Sequence, residues 1–142
     1  KSILINKYSA GVLYLIESKI RDRSRQATQL LGINKYSLEH LMPKKWENNW
    51  GKVINNEAED FRNRKLLTLG NLAIITQSLN ASIRDSNWET KKRGKGNNQG
   101  LMRYSAGMET LSSYLDIVDW NESEIEKRAF DLYKYALDIW KL

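Results

Sequence analysis

The stretch at residues 36–43 reads Tyr-Ser-Leu-Glu-His-Leu-Met-Pro and decides how the centre of this chain folds. Its side chains alternate in character, which predicts a short β-strand. Pro43 is the only proline of the chain and ends the strand. The most apolar segment, residues 66–76, is interrupted by the turn-prone pair Gly70-Asn71. We therefore predict a tight bend that leads into a second strand at residues 72–76.

Helical periodicity flanks the two strands. Residues 5–20 are predicted to form one helix, and a second is predicted from about residue 78 to residue 92. A third helix follows Asn121, which can cap it with Glu124 in the capping-box position. Residues 44–64 are polar and indicate a loop plus one short helix. The predicted fold class is α+β, mostly helical, with the strands embedded between N- and C-terminal helices.

Each terminal helix has a predicted apolar face. On the first helix this face consists of Ile5, Tyr8, Val12, Leu15, Ile16 and Ile20. On the last helix it consists of Ile125, Ala129, Leu132, Ala136 and Ile139, and Trp140 closes the helix. Trp46 and Trp50 lie in a polar segment, but a core position is favoured for both. The 142 residues suit one domain, which we expect to cover residues 1–142.

Composition excludes several classes of function. The chain has no cysteine, which rules out disulfides, cysteine-ligated zinc and thiol catalysis. No stretch approaches the roughly 18 consecutive apolar residues of a membrane span, and no signal-peptide pattern opens the sequence. We therefore expect no membrane partner. The first residue is Lys1 rather than Met, so we expect the chain to be a fragment of a longer protein.

The net charge of +6 is distributed unevenly. Residues 1–103 carry 19 Lys and Arg against 9 Asp and Glu, whereas residues 104–142 carry 4 against 8. A basic body suits a phosphate backbone, although many proteins of other function show the same balance. For the basic run at residues 21–25, a solvated face is favoured over DNA contact. Residues 91–100 contain no apolar side chain and are predicted to form a mobile loop.

His40 is the only histidine of the chain and directly follows a carboxylate, Glu39. A lone histidine is more often structural than catalytic, and neighbours in a strand point to opposite faces. The two residues could still serve one site if His40 faced a substrate while Glu39 reached an ion at the bend of Pro43. The residues alone do not decide between a structural and a catalytic role for His40.

The order and spacing of several short motifs add a further argument. Glu39-His40, then Asn71 within Leu-Gly-Asn-Leu, then Asn80 nine residues later resemble the HNH (His-Me finger) nuclease motif. More narrowly, the chain resembles the C-terminal nuclease domain of GmrSD-type restriction enzymes, which attack modified DNA. Further features of that family are matched here by Trp88, Lys91, Lys92, Ile125, Arg128 and Trp140. The resemblance covers most of the chain and implies a small ββα-metal motif.

The resemblance implies a role for each polar motif residue. His40 would act as general base on the attacking water, because a neutral imidazole is available at pH 7. Glu39 and Asn80 would hold one Mg²⁺ or Mn²⁺, since hard divalent ions prefer oxygen ligands and keep several waters. Asn71 would pin the loop and orient the base by hydrogen bonding. The structural alternatives are a left-handed turn residue for Asn71 and a helix cap for Asn80.

The predicted function is a divalent-metal-dependent DNA endonuclease, and the resemblance implies 5′-phosphate and 3′-hydroxyl ends. Lys91, Lys92, Arg93 and Lys95 are predicted to grip the DNA backbone, with a solvated linker as the alternative. The resemblance also implies a bacterial or archaeal cytoplasm, restriction of modified or phage DNA, and a preceding N-terminal NTPase and sensor domain. The alternatives are a non-catalytic nucleic-acid- or partner-binding module of the same fold, and an RNase or toxin.

Overall fold

The computed structural model of the chain describes residues 2–23, 29–104 and 108–140, without the side chains of residues 2–5 and 82. The elements in these residues are, in chain order, α1 (Ser2–Asp22), β1 (Tyr36–His40), α2 (Asn56–Leu66), β2 (Leu72–Thr76), α3 (Gln77–Ile83), α4 (Trp88–Arg93), β3 (Gly94–Lys95), β4 (Asn98–Gln99), α5 (Leu101–Tyr104) and α6 (Glu122–Ile139). Single turns of 3₁₀ helix occur at Ile33–Lys35, Trp46–Asn48, Leu69–Asn71 and Ser112–Tyr114. The predicted α+β, mostly helical fold class is confirmed.

The central sheet is the antiparallel pair of β1 and β2, and both strands form where they were predicted. Tyr36 pairs with Thr76 at one end of the register, and His40 pairs with Leu72 at the other. β2 is buried along its length except at Thr76, which explains why its sequence is continuously apolar rather than alternating. α1 packs against both strands. The sheet therefore places His40 at the end of β1, next to the start of β2.

α1 confirms the predicted first helix, but its predicted apolar face is partly wrong. Ile16 is fully buried, whereas Tyr8 and Leu15 expose 68% and 47% of their surfaces. Glu17, which is not one of the residues of the predicted apolar face, is fully buried. Its carboxylate accepts two hydrogen bonds of 2.8 Å from the backbone N–H groups of residues 109 and 110. A polar side chain with such partners is stable in a core, and apolar periodicity cannot reveal it.

The basic run at residues 21–25 is not a uniformly solvated face. Arg21 is half-buried and donates to Glu17 Oε1 at 2.9 Å, so it belongs to the buried network of α1. Arg23 is exposed and pairs with Asp138 of α6. Residues 24 and 25 lie outside the described residues.

α6 is the helix predicted at the C-terminal end. The Asn121 side chain accepts a hydrogen bond from the N–H of Glu124 at 3.1 Å, as expected for an N-cap. Ile125 and Leu132 are buried on the predicted face. Arg128 is also fully buried there, a position that the periodicity did not assign to it.

Arg128 ties α6 to the segment that precedes β2. Its guanidinium donates to the backbone carbonyls of residues 70, 72 and 110 at 2.7 to 3.1 Å. Burial lowers the pKa of Arg128 to about 10, so the group stays charged at pH 7. The close approach of α6 also requires Gly70, because a Cβ there would lie 2.1 Å from the carbonyl oxygen of Ile125. These contacts hold Asn71 in place between two anchored neighbours.

The single helix predicted over residues 78–92 is wrong, because the structure has two short helices. α3 ends before Arg84, whose φ of 25° lies in the left-handed region and stops the helix. α4 begins after Asn87, whose side chain caps it by accepting from the third N–H that follows. The break redirects the chain, and α4 places Lys91 against β1.

The loop predicted over residues 91–100 is also wrong. The first three residues complete α4, and the two-residue strands β3 and β4 form an antiparallel hairpin. Gly94 and Gly96 have φ values of 86° and 60°, which glycine adopts without strain. A two-stranded hairpin with polar side chains carries no apolar pattern, and for this reason periodicity missed it.

Trp46 and Trp50 belong to the core, as favoured from the sequence. Trp46 is buried, and Trp50 is half-buried against the core. Trp88 stacks on Trp120 with 5.3 Å between ring centroids, and Trp50 lies against Trp88 at 6.4 Å.

None of the helices in the described part of the chain has both the length and the apolarity that a bilayer crossing requires.

Candidate active site

A pocket of about 380 Å³ opens where β1 ends beside α3. Its lining residues are Leu38, Glu39, His40, Pro43, Lys44, Lys45, Asn80, Arg84 and Asp85. The structure thus brings together Glu39, His40 and Asn80, three of the four residues to which the sequence assigned the reaction. The fourth, Asn71, is not among the lining residues.

His40 ends β1 and is half-buried at the pocket. Burial lowers the pKa of its imidazole to about 4, and the charges of Lys44 and Lys91 act in the same direction. The ring is therefore neutral at pH 7, which is the form that accepts a proton. Among the described residues the ring has no hydrogen-bond partner. Its two nitrogens are left to solvent or to a ligand.

Glu39 precedes His40 and is buried, with 5% of its surface exposed. Its Oε1 accepts a hydrogen bond from Lys91 Nζ at 2.6 Å, which forms an ion pair between β1 and α4. Burial raises the pKa of Glu39 and lowers the pKa of Lys91, while the opposite charge of each partner counteracts the shift. Oε2 has no hydrogen-bond partner among the described residues. This second oxygen is the one that remains for a cation in the pocket.

Asn80 lies in the middle of α3 and is half-buried. The alternative of a helix cap is wrong, because Thr76 and Arg84 occupy the cap positions of α3. In the described part of the chain no group hydrogen-bonds to the Asn80 side chain. Its amide oxygen is therefore available as a ligand at the pocket.

Asn71 is fully buried and fully hydrogen-bonded. Its side chain accepts from the N–H of Met42 at 2.8 Å and donates to the carbonyl of the same residue at 2.9 Å. It also donates to the Leu66 carbonyl at 3.2 Å and accepts from Trp120 Nε1 at 3.1 Å. The left-handed turn alternative is wrong, because φ is not positive at this position. The Asn71 side chain fixes the segment that follows His40 through its main chain.

The four basic residues assigned to DNA do not share one surface. Lys91 is fully buried and Lys92 is 5% exposed, so their placement in a surface loop is wrong. Lys92 Nζ pairs with Glu89 at 2.6 Å and donates to the backbone carbonyl of Ile117 at 3.2 Å. Arg93 and Lys95 are exposed. Both lie at the surface, where Arg93 pairs with Glu89 at 3.1 Å.

Three cations of the pocket are not among the site residues predicted from the sequence. Lys44 and Lys45 follow the proline after β1, and Arg84 lies one helical turn beyond Asn80. All three are exposed and line the pocket together with Asp85. A signal for Arg84 was available, since residues four apart share one face of a helix. The chain just after a strand likewise stays near the strand end, which gives a signal for the two lysines.

Glu39 and Asn80 form a donor set that suits a hard divalent cation. One carboxylate and one amide oxygen are sufficient for Mg²⁺, which usually keeps several of its waters. Among the described residues, no group of three or more His, Cys, Asp and Glu side chains could hold a metal ion. An ion held by these two side chains alone would keep most of its water ligands.

Fold and pocket together define a class of protein, a small α+β domain that combines a neutral histidine, a carboxylate and an amide with a cationic rim. Groups of these kinds can activate a water molecule, hold a cation and bind a phosphate, which are functions that hydrolysis of a phosphodiester uses. The family model described as GmrSD restriction endonucleases, C-terminal domain, matches residues 3–135. The chain belongs to this family, and membership suggests a role in a restriction endonuclease. No curated protein and no solved structure gives a significant match.

Proposed function

We propose that this domain is an HNH-type endonuclease that hydrolyses DNA phosphodiester bonds with the help of a divalent metal ion. The observation that carries the proposal is the pocket that joins Glu39 and His40 of β1 with Asn80 of α3. The family supports the class of activity. The antiparallel pair β1–β2 followed directly by α3 supports the ββα-metal arrangement.

His40 is the general base in this proposal. The neutral imidazole takes a proton from the water that attacks phosphorus, in line with the leaving oxygen. Burial keeps the ring unprotonated well below pH 7, so that the base is always in its active form at neutral pH. Asn71 contributes by holding the backbone of Met42, which limits movement of the strand end that carries the base.

Glu39 Oε2 and the Asn80 side-chain oxygen are the atoms that would hold one Mg²⁺ or Mn²⁺. When bound, the ion would offset the charge that develops on the phosphate. Burial of the Glu39 carboxylate limits its motion, whereas Asn80 reaches the same pocket from a separate element. The two ligands would therefore come from two separate elements, β1 and α3.

Lys44, Lys45 and Arg84 are proposed to hold the phosphates next to the bond that is cut. They are exposed at the pocket and carry the charge that a DNA backbone attracts. Lys95 and Arg93, the second of which pairs with Glu89 at 3.1 Å, are exposed and are proposed as further contacts with the DNA backbone. The buried Lys91 and Lys92 are left out of the DNA surface.

The domain is proposed to serve a restriction system of the cytoplasm that acts on modified or phage DNA. Residues 1–142 are taken as a single nuclease domain, and an N-terminal NTPase and sensor domain or subunit would select the DNA. The family description as a C-terminal domain supports this division of labour. Neither a nucleotide-binding loop nor a base-reading pocket is evident in the sequence.

A plasmid nicking assay tests the proposal. Supercoiled plasmid is incubated with the domain and Mg²⁺ or Mn²⁺, and the nicked and linear forms are quantified. The wild-type domain is expected to cut, whereas His40→Ala, and the wild-type domain in excess EDTA, are expected to be inactive. Tyr8→Ala changes an exposed residue of α1 and is the control, with cleavage expected at the wild-type rate.

Each departure from this pattern has a distinct meaning. Undiminished cleavage in EDTA would contradict the proposed metal dependence. Cleavage by His40→Ala would contradict the role of His40 as general base. A wild-type domain that binds plasmid without cutting it would favour the non-catalytic binding module. Cleavage of RNA but not of DNA would favour an RNase.

A further inference from the structure

Lys91 is a fully buried lysine beside the pocket. Lysine is almost never fully buried without a partner, because removing an ammonium group from water costs several kcal/mol. Its Nζ donates to two acceptors, Glu39 Oε1 at 2.6 Å and the backbone carbonyl oxygen of His40 at 2.7 Å. One ammonium group thus holds the side chain of one site residue and the main chain of the next.

The strand end that carries His40 is held from two directions. Lys91 holds residues 39 and 40, and Asn71 holds the two residues that follow. The Asn71 carbonyl accepts from the N–H of Leu41 at 2.8 Å, and its side chain bonds both backbone groups of Met42. Four consecutive residues therefore have buried hydrogen-bond partners. The imidazole itself has none among the described residues, so the backbone sets its position.

We propose that Lys91 is a positioning residue, which fixes the Glu39 carboxylate and the His40 backbone for the reaction instead of contacting DNA. The inference rests on the proposed function, which gives these two residues their roles. A DNA phosphate cannot reach the ammonium group, because none of the Lys91 side chain is exposed. With Oε1 held by Lys91, the carboxylate keeps one orientation and leaves Oε2 to the pocket.

His40 provides a direct readout, because the chain has no other histidine and its imidazole gives one set of ¹H–¹⁵N NMR signals. Lys91→Gln is compared with Lys127→Gln, which changes an exposed lysine paired with Glu124 at 3.2 Å. Lys91→Gln is expected to shift the His40 signals and to weaken Mn²⁺ binding, measured by calorimetry, by about 10- to 100-fold. The control is expected to change neither.

Cleavage kinetics separate positioning from DNA binding. Lys91→Gln is expected to lower kcat by about 10- to 100-fold while KM for DNA and its salt dependence stay unchanged. If Lys91 instead contacted the DNA backbone, the variant would show the opposite pattern. Loss of such a contact would raise KM and flatten the salt dependence by about 0.9 per contact.

The proposal is overturned if Lys91→Gln keeps wild-type His40 signals and Mn²⁺ affinity while it weakens DNA binding. Should Lys91→Gln fail to fold, the double variant Glu39→Gln/Lys91→Met leaves no unpaired charge in the core and takes its place. Displaced His40 signals in the double variant support the proposal, and wild-type signals overturn it. A wild-type domain without nuclease activity would refute the proposed function, whereas the NMR comparison would still decide whether Lys91 positions His40.

Discussion

The two sides of the pocket are built in opposite ways. On one side, residues 39–42 at the end of β1 have buried hydrogen-bond partners in Lys91 and Asn71. We call these four residues the held side. On the other side, which we call the open side, Lys44, Lys45 and Arg84 are exposed, and the Asn80 amide has no partner among the described residues.

This difference separates two uses of polar groups. On the held side they fix geometry, because a buried polar group stabilises the fold only when it is paired. On the open side they have no partner among the described residues, which leaves them available to the substrate and the ion that we propose. Substitutions on the held side should therefore change stability first, whereas those on the open side should change binding and cleavage with little effect on folding.

Among the substitutions predicted here, removal of the Glu39 charge is expected to lower the stability of the fold the most. Glu39→Gln leaves the Lys91 ammonium uncompensated in the core, which should lower the free energy of unfolding by about 3–5 kcal/mol. Urea denaturation measures this loss, and Glu47→Gln, an exposed position, serves as control. A loss equal to that of the control would mean that the ion pair does not hold this side.

The two asparagines compare the sides directly. Asn71→Ala leaves the Met42 backbone groups and the Trp120 N–H without a partner, and we expect a loss of roughly 2–3 kcal/mol. Asn80→Ala should change the free energy of unfolding by less than about 0.5 kcal/mol, yet weaken Mn²⁺ binding. Urea denaturation and calorimetry measure the two quantities. Equal losses of stability in both variants would favour plain structural roles for each.

The lowered pKa of His40 predicts a dependence of stability on pH. The unfolded imidazole takes up a proton below about pH 6.5, whereas the folded one does so only near pH 4. Stability should therefore fall as the pH drops from about 6.5 to 4 and should be insensitive to this group above that range. Denaturation at several pH values measures this dependence. In His40→Asn the free energy of unfolding should change less between pH 6.5 and pH 4 than in the wild-type domain. A wild-type midpoint of the His40 NMR titration at pH 6.5 would contradict the burial.

The cations of the open side should have the smallest effect on folding. Lys44→Gln and Arg84→Gln are expected to change the free energy of unfolding by less than about 0.5 kcal/mol. Each should flatten the salt dependence of DNA binding by up to about 0.9, since a phosphate contact releases counterions. Fluorescence anisotropy at several salt concentrations measures the slope, with Lys127→Gln as control. If both variants kept the wild-type salt dependence, DNA would have to bind at a surface other than this pocket.

The elements that were predictable have local signals. β1 shows alternation ended by Pro43, and β2 is a continuous apolar run after a bend. α6 begins at an asparagine cap. The prediction of one helix over residues 78–92 was wrong, because Arg84 adopts a left-handed backbone conformation and Asn87 caps a new helix. Neither residue breaks the helical periodicity, so the division was not visible in the pattern.

The sequence by itself determined which chemistry is available, namely one histidine beside one carboxylate and two asparagines at the spacing typical of a nuclease family. Tertiary structure alone decided what each cation does. Lys91 and Lys95 are both lysines of one basic run, yet the first lies in the core and the second in solvent. The reason is that a lysine can be buried only where a counterion is provided. For Lys91 that counterion is Glu39, which lies 52 residues earlier in the chain and is brought within 2.6 Å by the packing of α4 against β1.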